Sequence, residues 1–190
     1  MSGGRRVHGV HSGAITIDTT EGTTGLLSLK SGDGGNNGAI IGHGGMENGV
    51  NANGLRRTPL SLSGDIDIRT KGDISLEAGS SRGADPSASW RQTTDAFVQI
   101  GHGGRNSDGE HSGTIVIRAG GNLVARSGDQ VRNYAMIGHG GHSSDGTHSG
   151  LIDISSGGNL IFDARGLGGE PVTNTRNETF VQLGHGGYAS

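Results

Sequence analysis

The histidines of this chain are its most reactive residues, and their spacing is not random: of nine, seven fall at two recurring corners. Gly-His-Gly-Gly stands at Gly42, Gly101, Gly138 and Gly184, each time directly after an aliphatic residue (Ile41, Ile100, Ile137 and Leu183). His-Ser-Gly stands at His11, His111 and His148, with Leu62-Ser63-Gly64 as a variant copy. If the repeats stack about 4.8 Å apart, His43, His102, His139 and His185 form one column. His11, His111 and His148 then form a second. Two chemistries suit such columns. One is a ladder of neutral imidazoles bonded to backbone groups, flanked by glycines that allow positive φ. The other is a divalent zinc, copper or nickel ion held between neighbouring rungs. Zinc, however, needs several nitrogens converging at about 2.0–2.1 Å, and a straight ladder sets them side by side. His43 lies two residues after Ile41, so a strand continuing through the corner turns the ring inward. Burial and like-charged neighbours would then keep it neutral.

Other candidate chemistry is sparser. Asp108-Gly109 and Asp145-Gly146 sit where calcium loops are sought, but the spaced acidic ligands of such loops are missing, and Asp-Gly is first of all a turn signal. Gly101-His102-Gly103-Gly104 lacks the Lys-Ser/Thr ending of a phosphate cradle, and no Gly-x-Ser-x-Gly elbow occurs. Two mixed columns, Asp18, Arg69, Arg118, Ser155 and Lys30, Glu77, Arg126, Asp163, fit cross-rung ion pairs better than a paired-carboxylate active site. No enzyme activity is expected on these grounds. Trp90, in the long segment from Gly79 to Ala96, is the one candidate for stacking on a sugar face.

The elements that position these residues repeat with the corners. After each Ser-Gly comes a pair of isoleucines at i and i+2: Ile15 and Ile17, Ile66 and Ile68, Ile115 and Ile117, Ile152 and Ile154. A period of two marks a strand with one face in the core. A second strand aligns Leu27, Ile74, Leu123 and Leu160, followed by Leu29, Leu76, Ala125 and Phe162. The third runs into Gly-His-Gly-Gly and turns Ala39, Val98, Ala135 and Val181 inward with Ile41, Ile100, Ile137 and Leu183. Segments between the second and third strands differ widely in length and are rich in Gly, Ser, Asn and Asp, as expected of loops hanging outside a stack.

The pattern predicts an all-β fold: a single domain over 1–190, built as a right-handed parallel β-helix (β-solenoid). Its four rungs, approximately 11–45, 62–104, 111–141 and 148–187, each have three strands, with variable outer loops. An antiparallel sandwich or a propeller is the alternative, its hairpins supplied by Asn37-Gly38, Asn48-Gly49 and Asn53-Gly54.

Composition agrees with stacking rather than a wide core. Forty glycines accompany only 3% aromatic residues, yet the regular aliphatic alternation argues against disorder, and three prolines without a Gly-X-Y period exclude collagen. A net charge of -3 with dispersed basic residues leaves no footprint for nucleic acid. Zero cysteines exclude disulfides and thiolate metal sites. No apolar run reaches the roughly 18 residues of a membrane span, and Met1 to Val10 has no signal-peptide core.

Aliphatic-Gly-His-Gly-Gly, Ser-Gly with alternating isoleucines, and Gly120-Gly121-Asn122-Leu123 together resemble the passenger repeats of filamentous-haemagglutinin-like bacterial exoproteins, over nearly the whole chain. The resemblance implies a secreted, extracellular, β-helical surface fibre of which this chain is an internal piece. The secretion domain that such proteins carry near the N-terminus is not visible here. The expected function is therefore a non-catalytic structural or adhesive segment, self-associating end to end through open solenoid ends and contacting cell-surface glycans. The competing expectation is a carbohydrate-binding or polysaccharide-cleaving β-helix using the loop 79–96.

Overall fold

The computed structural model describes residues 10–32, 35–46, 60–79, 95–128, 131–164 and 178–189. The first repeat contains β1 (Val10–Ser12), β2 (Ile15–Thr19), β3 (Leu27–Lys30) and β4 (Gly38–Ile41), and the second β5 (Leu60–Ser63), β6 (Ile66–Thr70), β7 (Ile74–Glu77) and β8 (Phe97–Ile100). The third follows with β9 (Gly109–Ser112), β10 (Ile115–Ala119), β11 (Leu123–Arg126) and β12 (Tyr134–Ile137), and the fourth with β13 (His148–Ser149), β14 (Ile152–Ser156), β15 (Leu160–Asp163) and β16 (Phe180–Leu183). Equivalent strands of successive repeats pair in parallel, giving four sheets of four strands: β1-β5-β9-β13, β2-β6-β10-β14, β3-β7-β11-β15 and β4-β8-β12-β16. The described residues contain no helix, hence none long and apolar enough to cross a membrane.

This arrangement is solenoid-like, and it corrects the expected rung. Each repeat contributes four strands, not three, because the His-Ser-Gly corner is itself a strand. That segment is short and largely polar, so no apolar alternation announces it; its backbone nevertheless pairs, with the Gly64 N–H donating to Ser112 O at 3.1 Å and the His111 N–H to Thr147 O at 2.9 Å. All pairings among the described strands are parallel. The hairpins of a sandwich or a propeller are absent from them.

Registers follow the isoleucine alternation: Ile15, Ile66, Ile115 and Ile152 face one another across the sheet, as do Ile17, Ile68, Ile117 and Ile154. β-branched side chains are stiff at χ1 and pack well on a pleated face. Side chains from three sheets meet in one apolar cluster that includes Ile66, Ile74, Val98, Ile115, Leu123 and Ala135, and residues of the first and fourth repeats pack against it. The inner isoleucines are fully buried, whereas Ile15 and Ile152 in the outermost repeats are half-buried.

The strands before Gly-His-Gly-Gly depart from simple alternation, since every residue of β8 and of β12 is buried. Val98 and Ile100 face the main core, as expected, but Phe97 and Tyr134 on the opposite face are covered too. On this face the glycine corner meets Gln99, whose Nε2 donates to Gly138 O at 3.0 Å and to Gly140 O at 3.1 Å, while Met46 and Phe180 pack against Phe97, Tyr134 and Met136. On this second face Phe97 and Tyr134 stack at 5.0 Å between centroids and Tyr134 and Phe180 at 4.8 Å. The first repeat has Gly38 at this position, and a Cβ there would overlap the Phe97 ring.

Candidate functional site

Gly-His-Gly-Gly is held by glycine for a concrete reason. Gly101 has φ +144, and a Cβ on it would overlap the carbonyl oxygen of Gly138 in the next repeat. Only a residue without a side chain tolerates both the backbone angle and that approach. Between the glycines, the four imidazoles stack: His43 on His102 at 5.0 Å, His102 on His139 at 4.8 Å, and His139 on His185 at 5.0 Å between centroids. His102 and His139 are fully buried; His43 and His185, in the outer repeats, are half-buried.

Both nitrogens of the inner rings are engaged. The backbone N–H of His43 donates to Nδ1 of His102 (2.9 Å), that of His102 to Nδ1 of His139 (3.0 Å), and that of His139 to Nδ1 of His185 (3.2 Å). A nitrogen that accepts an N–H carries no proton, so the proton sits on Nε2. Nε2 donates in turn to the glycine carbonyl of the Ser-Gly corner that begins the same repeat: His43 to Gly13 (3.1 Å), His102 to Gly64 (2.8 Å), His139 to Gly113 (3.0 Å) and His185 to Gly150 (3.0 Å). Each histidine therefore clasps the end of its repeat to the beginning, and from the second repeat onward to the repeat before it. The sequence separations bridged within the repeat are 30, 38, 26 and 35 residues, so the clasp is constant while the chain between its ends is not.

Burial is the first cause of the depressed basicity of this column. It holds His102 below the usual imidazole range despite the bond to Gly64, and it lowers His139 to about 4, with His102 and His185 adding like-charge repulsion. At His102, His139 and His185 a zinc, copper or nickel ion would have to displace a backbone partner from Nδ1 or Nε2. Among the described residues no group of three or more His, Asp or Glu side chains is arranged to hold a metal ion. At the candidate calcium loops, Asp108 Oδ1 accepts the N–H of Asp145 at 3.1 Å, a rung-to-rung bond of the kind that Asp73 Oδ1 makes with the Asn122 N–H at 2.6 Å.

The second histidine column is interrupted. His11 pairs with Leu62, and Leu62 with His111, so only His111 and His148 stack, at 4.8 Å. The variant corner puts an aliphatic side chain, buried to 1% exposure at Leu62, between the rings of His11 and His111. His148 Nε2 donates to Ser144 O at 3.0 Å. His111 is fully buried, and neither of its ring nitrogens has a hydrogen-bond partner among the described residues. Burial, followed by the neighbouring His148, lowers its pKa to about 3.

Two polar clusters have no counterpart in the sequence expectations. Asp95, almost fully buried, lies 3.0 Å from Arg105 Nε and accepts from Arg132 Nε and Nη2 at 2.5 and 2.9 Å. His142 Nε2 lies 2.9 Å from Glu178 Oε2, its Nδ1 2.9 Å from Ser143 Oγ, and its ring stacks on Tyr188 at 5.2 Å. Serine, imidazole and carboxylate stand in relay order here, and the Ser143 N–H donates to Tyr188 O at 2.8 Å. The sequence signal for these clusters is positional: Arg105, His142 and Tyr188 each directly follow a Gly-His-Gly-Gly. Trp90 lies outside the described residues. Comparison with protein-family models, curated proteins and solved structures finds no match for this chain.

Proposed function

We propose that the chain is a non-catalytic structural segment of an extracellular bacterial fibre, coiled as a closed, right-handed parallel β-helix whose outer loops are presented along its length. The observation that carries this reading is the histidine clasp. It commits the one reactive side-chain type repeated in every unit to joining backbone to backbone, and it recurs in all four repeats. Parallel ladders in four sheets and a shared apolar interior support the coil, and the strong bias of parallel crossovers supports its right hand. The resemblance of the repeats to filamentous-haemagglutinin-like exoproteins supports the extracellular setting. An antibody raised against the purified chain is expected to label intact cells of the producing bacterium; labelling confined to permeabilised cells would overturn the setting. Glycan arrays and polysaccharide-cleavage assays are expected to be negative, and a cleavage product would overturn the non-catalytic part.

A further inference from the structure

We infer that Ser143, His142 and Glu178 form a nucleophilic site, at which the Ser143 hydroxyl takes an acyl group from an activated ester and becomes a point of covalent attachment on the coil. The inference goes beyond the structural reading and does not rest on it.

Neighbouring side chains of a strand point to opposite faces, so a serine beside a histidine does not ordinarily meet its ring. At His111-Ser112 and His148-Ser149, both in strands, that rule holds. Neither ring nitrogen of His111 nor Nδ1 of His148 has a partner among the described residues, and Nε2 of His148 bonds Ser144 O. At Ser143 the backbone turns instead into the left-handed region, with φ 53, and the hydroxyl donates to Nδ1 of His142 at 2.9 Å. The turn itself does not need a hydroxyl. Asn106 and Ala189 make it with φ 51 and 54, and the ladder sets them level with Ser143: the Asn106 N–H donates to His142 O and the Ser143 N–H to Tyr188 O.

What completes the site is a carboxylate. Glu178, just ahead of β16, places Oε2 2.9 Å from Nε2 of His142. A carboxylate there holds the ring proton on Nε2 and leaves Nδ1 free to act as the base toward the hydroxyl. It also steadies the imidazolium that forms when the proton arrives. His142 is 5% exposed and its ring stacks on that of Tyr188, whereas Ser143 is only partly buried and within reach of a reagent. The base is thus shielded and the nucleophile is not.

The step balances without a cofactor. Ser143 Oγ bonds to the ester carbonyl carbon while its proton passes to Nδ1; the bond to the leaving group breaks, and the departing oxygen takes up that proton. A serine ester and a free phenol or alcohol result. Reversal by water would have to expel a serine alkoxide, a far poorer leaving group than a phenolate, so the acyl group stays on the chain.

The probe is p-nitrophenyl acetate, with peptide mass spectrometry to locate the acetyl group. The expected result is a single equivalent of nitrophenolate and an acetyl group on Ser143, formed about a hundredfold faster than on the exposed Ser149. Ser143→Ala should abolish it, and His142→Gln should slow it to the rate of Ser149, each with the thermal transition of the folded protein retained. Glu178 acts through His142 as a positioning residue, and a second measurement reads it. The chain has no cysteine, so Ser143→Cys sets one thiol beside Nδ1. Its alkylation by iodoacetamide should persist well below the roughly 8.5 of an ordinary thiol, and the profile should return toward that value when Glu178→Gln is added. Acetyl groups spread equally over Ser143 and Ser149, labelling unchanged by His142→Gln, or an ordinary alkylation profile would each overturn the inference and leave the proposed function standing. Nitrophenolate release that continues past one equivalent and stops in Ser143→Ala would overturn the attachment together with the non-catalytic part of that function.

Discussion

The backbone N–H of His43 donates to Nδ1 of His102 at 2.9 Å, and the same ring gives its Nε2 proton to Gly64 O at 2.8 Å. One buried imidazole thereby satisfies a donor and an acceptor from two different corners. Removing it is expected to cost more than the lost contact, because both partners, on the half-buried His43 and Gly64, are left unpaired. His102→Ala should lower the free energy of unfolding by about 3–5 kcal/mol, read from urea denaturation. His43→Ala, at a half-buried end position, should cost less than half of that.

Acid should unfold the protein before most carboxylates are protonated. His139 and His111 have folded-state pKa values lowered to about 4 and about 3, so between those values and the ordinary imidazole value of about 6.5 the unfolded chain binds more protons. Stability is then fully present above about pH 7 and falls as pH drops through 6, by roughly 2 kcal/mol for each of the two histidines at pH 5. A thermal midpoint equal at pH 8 and pH 5 would contradict a neutral buried column.

His111 is expected to be a liability. Its two ring nitrogens are buried without partners among the described residues, while Leu62 fills the equivalent place one rung earlier. His111→Leu should therefore stabilise the protein by about 1–2 kcal/mol at pH 7 and by more at pH 5, measured by chemical denaturation at both pH values.

Zinc, nickel or copper ions added to the metal-free protein are expected to leave its thermal midpoint within error, since the clasping nitrogens already hold backbone groups. An upward shift that grows with metal concentration and disappears in His102→Ala would show that the column coordinates an ion.

Gly101→Ala should prevent folding or cost well over about 3 kcal/mol, because the new methyl would meet Gly138 O. Gly22, with φ +99 but nothing within 4 Å of the place a methyl would take, separates the two causes. Gly22→Ala should cost only about 1–2 kcal/mol of backbone strain. Circular dichroism during urea titration distinguishes the two.

The parts of this fold that can be read from sequence are those in which one side-chain type repeats at a fixed parity. Ile15, Ile66, Ile115 and Ile152 announce a strand and its register, because burial on one face selects the same residue each time. The strand at His111-Ser112 stays hidden, since its pairing is carried by the backbone and its side chains are polar. Phe97 and Tyr134 are hidden for a related reason: alternation assigns them to solvent, and they are covered by contacts distant in sequence, with Met46 and Phe180 packed against them. Asp95 and Arg132 meet across a separation of 37 residues, and no local period reports a contact of that kind.

The unequal distances bridged by the clasps, from 26 residues at His139 to 38 at His102, uncouple the length of a repeat from its footprint in the stack. A segment spliced between the third and fourth strands of any repeat lengthens the thread but not the pitch. Such a backbone works as a spine on which foreign peptides can be mounted at fixed intervals, each tolerated as long as the glycine and histidine that close its turn are left untouched.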